Sequence, residues 1–175
     1  ETGGIEFLYT AADHDVRGTI WGFAIGPDGT MYISTNRQSD SHNTASVTKG
    51  GLSPNGERAW SVLARTEPMP SSRFNHLVNA MIVTPDNRHI LVNSGARTDH
   101  GEVEDEGGTF PGLREGGLTS IVWRVPTDAE ELVLADDREA LRASGYLFAE
   151  GVRNLFDMAY EMGAVRPGVG VNDGV

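Results

Sequence analysis

Two stretches of the chain repeat one pattern: a short apolar run, a Pro-Asp turn and a second short apolar run. Gly22 to Ser34 holds the first copy around Pro27-Asp28-Gly29, and Asn79 to Val92 the second around Pro85-Asp86-Asn87. The two prolines lie 58 positions apart (85 − 27). Proline presets φ for a turn, and Gly29 or Asn87 tolerates the positive φ that follows it. The flanking runs are partly β-branched, as strands are. A weaker third copy begins at Asn154 and runs to Tyr160; it lacks the Pro-Asp turn, and Val165 to Val171 would supply its return strand.

Repetition at this spacing points to an all-β chain, organised as part of a β-propeller with long insertions between its inner hairpins. An ordinary antiparallel sandwich is the alternative. A blade takes about 40–45 residues, so the 175 residues amount to about three to four blades. The 22 glycines fit many tight turns. Thr119 to Val125 reads as a further strand ended by Pro126, and Asp136 to Gly145 as one short helix, with Asp136 or Asp137 capping its start and Gly145 its end. Residues 38–55 are polar and dense in Ser, Thr and Gly. Residues 99–117 are acidic and rich in Gly and Pro. Both read as loop excursions from a single domain spanning 1–175, and loops this long are commonly functional.

The formal charge is −11, from 14 basic and 25 acidic residues. Such a surface repels phosphate backbones and anionic lipid, which argues against nucleic acid and membrane surfaces as partners. No apolar run approaches the roughly 20 residues that membrane insertion as a helix requires. The chain has no cysteine, which removes disulfides and thiolate metal sites.

Asn75-His76 stands immediately before the second hairpin, the Gly-containing segment Asn93 to Val103 follows it, and Gly151-Val152-Arg153-Asn154 opens the third unit. In this order and spacing, from Asn75 to Asn154, the chain resembles the soluble quinone-dependent glucose and aldose sugar dehydrogenases, the glucose/sorbosone dehydrogenase family. The resemblance implies a six-bladed β-propeller of which this chain is part, secreted or periplasmic. It also implies a small-molecule aldose sugar as substrate, oxidised by hydride transfer to pyrroloquinoline quinone (PQQ), with Ca2+ as a second cofactor. An electron acceptor protein, or the remaining propeller blades, would be its partner. Carried over by position, His76 is the base that takes the hydroxyl proton, a role histidine suits. Asn75 lies beside it, Arg153 sits over the quinone oxygens, and Asn154 bonds the cofactor edge. Asn75 replaces an acidic residue of those enzymes, so this position has no charge to stabilise an imidazolium. No metal ligand is assigned within the stretch.

Other readings accompany this one. The same scaffold without a cofactor would be a non-catalytic binding or interaction propeller, and a calcium-dependent lactonase is a third possibility. The acidic run Glu102, Glu104, Asp105, Glu106 offers oxygen ligands, yet lacks EF-hand spacing and reads as a solvated loop. Asp99-His100 reads as a turn, and Trp21, Trp60 and Trp123 as core aromatics. His14, His42 and His89 have no partner at metal-ligand spacing. Nucleophile-elbow, Walker and His-Glu-x-x-His motifs are absent.

Overall fold

The computed structural model describes Thr10, Val16 and residues 18–161 and 164–167. In chain order its elements are β1 (Thr19–Ile25), β2 (Met31–Gln38), β3 (His42–Leu52), β4 (Arg58–Thr66), β5 (Met69–Pro70), β6 (Val78–Val83), β7 (His89–Ser94), β8 (Ile121–Pro126), β9 (Leu132–Leu134), α1 (Arg138–Ala143), β10 (Leu147–Glu150), β11 (Met158–Glu161) and β12 (Ala164–Pro167). The chain is therefore mostly β with one short helix, as its turn-and-strand pattern predicts. No described helix is long and apolar enough to cross a membrane.

Strands β1 to β4 form an antiparallel meander, extended by β9 in parallel along β4 and by the short β5 against β3. Strands β6, β7, β8 and β10 form a second antiparallel meander, and β11 pairs with β12 in a hairpin. Both Pro-Asp segments are the turns of β1–β2 and β6–β7. After each proline the expected residue takes positive φ, 81° at Gly29 and 58° at Asn87. Residues 168–171, the end of the expected third return strand, lie outside the described residues.

The two meanders stack face to face. Ala24, Tyr32 and Val47 of the first share one apolar cluster with Met81, Val83, Ile90, Val92, Trp123 and Val125 of the second. The opposite face of the second meander, Ala80, Leu91 and Val122, packs on Leu155 and Met158. With both faces covered, β7 and β8 read as continuous apolar runs (Ile90-Leu91-Val92, Ile121-Val122-Trp123) rather than alternating ones.

Where β1 meets β6 the backbones nearly touch. A Cβ on Gly22 would lie 1.9 Å from the carbonyl oxygen of Asn79, so this position admits only glycine. Beside it, the amide of buried Asn36 donates to Val78 O (2.7 Å) and accepts from Val78 N (3.0 Å). It satisfies both peptide groups as another strand would. Ser34 Oγ donates to Asn79 O. In the second meander Asn93 Nδ2 reaches the carbonyl of Leu155, just ahead of β11. Each inner hairpin thus sends a polar side chain to the backbone of the unit after it.

Residues 38–55 are not an excursion: most of them form β3, the longest strand, paired with β2 and β4. Its inward positions are Asn43, Ala45 and Val47, too small or polar to give an apolar signal. Asn43 Nδ2 donates to Asn36 (2.8 Å) and Thr66 Oγ1 accepts from Ala45 N (2.9 Å), while Asn43 Oδ1 is buried without a hydrogen-bond partner. Trp21 is also not a core residue. It is half exposed on the outer face of β1, while Trp123 is fully buried.

Residues 99–117 form the expected loop, without strand or helix. Its anchor is Arg97, which has no solvent exposure. The guanidinium donates to Leu113 O (3.2 Å) and Glu104 O and lies 5.2 Å from the centre of the Phe110 ring. Phe110 in turn meets His42 edge-on, which ties the loop to the first sheet. Glu115 accepts from Arg97 N (2.8 Å) and Thr119 Oγ1 (2.6 Å).

The helix begins one residue after Asp137, whose carboxylate accepts from Glu139 N and Ala140 N, so Asp137 rather than Asp136 is the cap. Asp136 turns away and accepts from Leu118 N (2.7 Å). Burial pushes its carboxyl above the usual aspartate range, outweighing the pull of the Leu118 and Gly117 N–H groups and of Arg138. An acid whose folded pKa is raised favours the folded state at low pH, and that advantage is lost as pH rises through the folded pKa. Asp136→Asn keeps the acceptor for Leu118 and removes the titration. Denaturant melts should therefore show the variant more stable than the parent at pH 7 and equal to it at pH 3; a variant equally destabilised at both pH values contradicts this.

Candidate active site

The turn that enters β6 carries Asn75 and His76. Leu77, next in line, has φ 60°, a left-handed conformation that a branched side chain seldom adopts. Asn75 holds that turn: its Oδ1 accepts from Leu77 N (3.0 Å), and its Nδ2 donates to Ser71 Oγ (3.0 Å). Asn75 thus supports the turn on which His76 sits, and its amide groups are turned to Ser71 and Leu77.

The half-buried His76 ring is oriented by a carbonyl instead. Nδ1 lies 3.1 Å from Ala96 O, and His76 N donates to the same oxygen (3.0 Å). A carbonyl can only accept, so Nδ1 carries the hydrogen, and in the neutral ring the lone pair is on Nε2. Gly95 makes the approach possible, since a Cβ there would lie 2.5 Å from His76 Cβ and 3.0 Å from Arg153 O.

The same short segment recruits the third unit. Ala96 N donates to Arg153 O at 2.7 Å. The Arg153 side chain folds over residue 99, donating from Nε to Asp99 O and from a terminal nitrogen to the Asp99 carboxylate. On its other oxygen Asp99 meets His100 Nδ1 at 3.0 Å. The Arg153 hydrogen bond holds the Asp99 carboxyl below the usual aspartate range, helped by the charges of His100, Arg153 and His76 when they are protonated. A depressed acid keeps its contribution above the unfolded pKa and loses it as pH falls through the folded one, so this pair persists through mildly acid pH. Asn154 Oδ1 accepts from Asn79 Nδ2 (3.3 Å), and Asn79 Oδ1 accepts from Asn93 Nδ2 (2.7 Å).

No family model matches the chain, and no curated protein does.

Residues distant in the chain, His76, Arg153 and Asn154, are therefore brought to one end of the sheets and linked through Ala96, Asp99 and Asn79. Asp99 is the residue that sequence reasoning assigned to a turn alone. Its carboxylate supplies near His76 the negative charge that Asn75 lacks, yet its signal is only one acidic residue in a loop full of them. Neither of two clefts, about 270 Å3 beside Asp28, Lys49 and Asn87 and about 530 Å3 beside Arg37 and His42, borders His76.

Among the described residues no three histidine or acidic side chains converge as a metal-ligand set. In the acidic run, Glu102 accepts from Asp99 N and His100 N, and Asp105 from Gly107 N. The Arg153 guanidinium is engaged by Asp99, and the Asn154 amide by Asn79.

Proposed function

We propose that the chain is part of a β-propeller of the quinone-dependent sugar dehydrogenase type and contributes the proton-accepting end of its site. The two stacked four-stranded meanders followed by a third hairpin support the propeller reading. The observation that carries the chemistry is His76: its Nδ1 is held by Ala96 O, which leaves Nε2 as an acceptor with one fixed direction.

The reaction is the oxidation of an aldose-type sugar at its anomeric carbon to a lactone. A bound PQQ supplies the two-electron acceptor. His76 Nε2 takes the hydroxyl proton as the carbon gives up its hydride. Asp99 stabilises the imidazolium formed, and its depressed pKa keeps it ionised through neutral and mildly acid pH. Arg153 and Asn154 would hold the acidic edge of that cofactor.

The second reading is a non-catalytic binding propeller. The Arg153–Asp99 pair favours it, because a cation already neutralised attracts an anionic cofactor less strongly. Dye-linked oxidation of aldoses, with PQQ and Ca2+ added to the purified chain, separates the two. Sugar-dependent dye reduction requires the dehydrogenase reading. Its absence, together with the absence of any quinone absorbance change, leaves the binding propeller.

A further inference from the structure

The side-chain amide of Asn79 is fully engaged, and two backbone groups set which way it lies. Its Oδ1 accepts from Ala80 N (2.6 Å), and its Nδ2 donates to His76 O (3.4 Å). A peptide N–H can only donate and a carbonyl can only accept, so the oxygen and nitrogen of this amide are not interchangeable. Its second lone pair takes a hydrogen from Asn93 Nδ2 (2.7 Å), and its second hydrogen goes to Asn154 Oδ1 (3.3 Å).

Asn93 holds this arrangement against a penalty. The residue has no solvent exposure, and its Oδ1 is buried without a hydrogen-bond partner. Its Nδ2 divides between Asn79 Oδ1 and Leu155 O (3.3 Å). Turned over, the amide would set its oxygen against both of those acceptors, so one unpaired oxygen is the smaller loss. What that loss secures is a donor fixed on Asn79.

The direction passes on to Asn154. Whatever faces Asn79 Nδ2 has to be an acceptor, so Asn154 Oδ1 lies inward. Its Nδ2 lies outward, where it bonds no described residue and is not buried. We infer that Asn79 and Asn93 are positioning residues that lock Asn154 as a donor, so that the ligand it meets presents an acceptor oxygen, a carbonyl or carboxylate. The inference rests on the reading of Asn154 as a cofactor contact, and it adds that the contact is set before any cofactor arrives, which spares the ordering of that side chain on binding.

Two changes at position 79 test this, once circular dichroism confirms that each variant folds. Asn79→Asp still accepts from Ala80 N and Asn93 but has no hydrogen to give, so the Asn154 amide should turn its Nδ2 inward. Asn79→Ala leaves that amide free to turn. In NMR spectra of isotope-labelled protein without ligand, the Asn154 Nδ2 hydrogens should exchange readily with water in the parent and be protected in Asn79→Asp. Titration with PQQ in the presence of Ca2+ should show affinity about tenfold weaker for Asn79→Asp, the worth of one hydrogen bond, with Asn79→Ala in between. With Asn154→Ala already in place, neither change at position 79 should weaken binding further; a purely structural role would give the same loss in both backgrounds. Protected Asn154 Nδ2 hydrogens in the parent, or a loss at position 79 that persists without the Asn154 amide, overturns the inference. A parent that takes up no quinone defeats the cofactor reading by itself, and the exchange pattern then upholds or overturns the preset orientation.

Discussion

Gly22→Ala is expected to destabilise the protein by about 3 kcal/mol, the upper end of what overpacking costs. The Cβ would sit 1.9 Å from Asn79 O and 2.5 Å from Ser34 Oγ. The hydroxyl can rotate away, but the carbonyl belongs to β6 and cannot retreat without carrying that strand along. Separating β1 from β6 also pulls Asn36 from the N–H and C=O of Val78, leaving buried polar groups unpaired. Gly51→Ala is the control. It lies in β3, and a Cβ there meets nothing within 4 Å. Its effect should stay within about 1 kcal/mol, and a small gain is expected from the restricted unfolded chain. Urea melts of both variants check the contrast; similar midpoints would mean that the sheet junction is looser than its geometry.

Arg97→Met should cost about as much, roughly 3 kcal/mol, by a different route. Methionine keeps much of the stem and removes the donors, so the carbonyls of Leu113 and Glu104 lose their buried partner. The stacking on Phe110 goes with it. Because those groups all belong to one loop, the loss should be local before it is global. Limited proteolysis is expected to cut the variant between residues 101 and 113 under conditions that leave the parent intact. Arg97→Lys should fall between the two, since one ammonium cannot span both carbonyls in the fork geometry of a guanidinium. Equal protease resistance in the parent and Arg97→Met would contradict this account of the loop.

Local chemistry made much of the fold legible. Pro27-Asp28-Gly29 and Pro85-Asp86-Asn87 mark turns because their φ requirements are written in residue type, and strands flank both. Pro126 ends β8 for the same reason. What local chemistry could not show is pairing at a distance. Residues 42–52 look like loop because Asn43 and Thr48 are polar; their burial depends on Asn36 and on neighbouring strands. Trp21 reads as core because aromatics usually are, and nothing within β1 reveals that its outer face is open. At the candidate site, Asn75-His76 and Arg153-Asn154 stand out as short motifs. The groups that orient and connect them, the carbonyl of Ala96 and the carboxylate of Asp99, are respectively invisible in residue type and indistinct among many acids.

The central claim rests on His76, and a titration followed by an assay on the same sample tests it most directly. PQQ is added to the parent chain and to His76→Gln with Ca2+ present, its visible absorbance followed to saturation, and an aldose and dye then supplied. The account predicts that both proteins bind quinone alike, since Arg153 and Asn154 are untouched. Only the parent should turn over, with the variant down by about 10²–10⁴-fold, the usual contribution of a positioned base. Turnover by His76→Gln at the parent's rate, or a parent that neither binds quinone nor oxidises sugar, would contradict it.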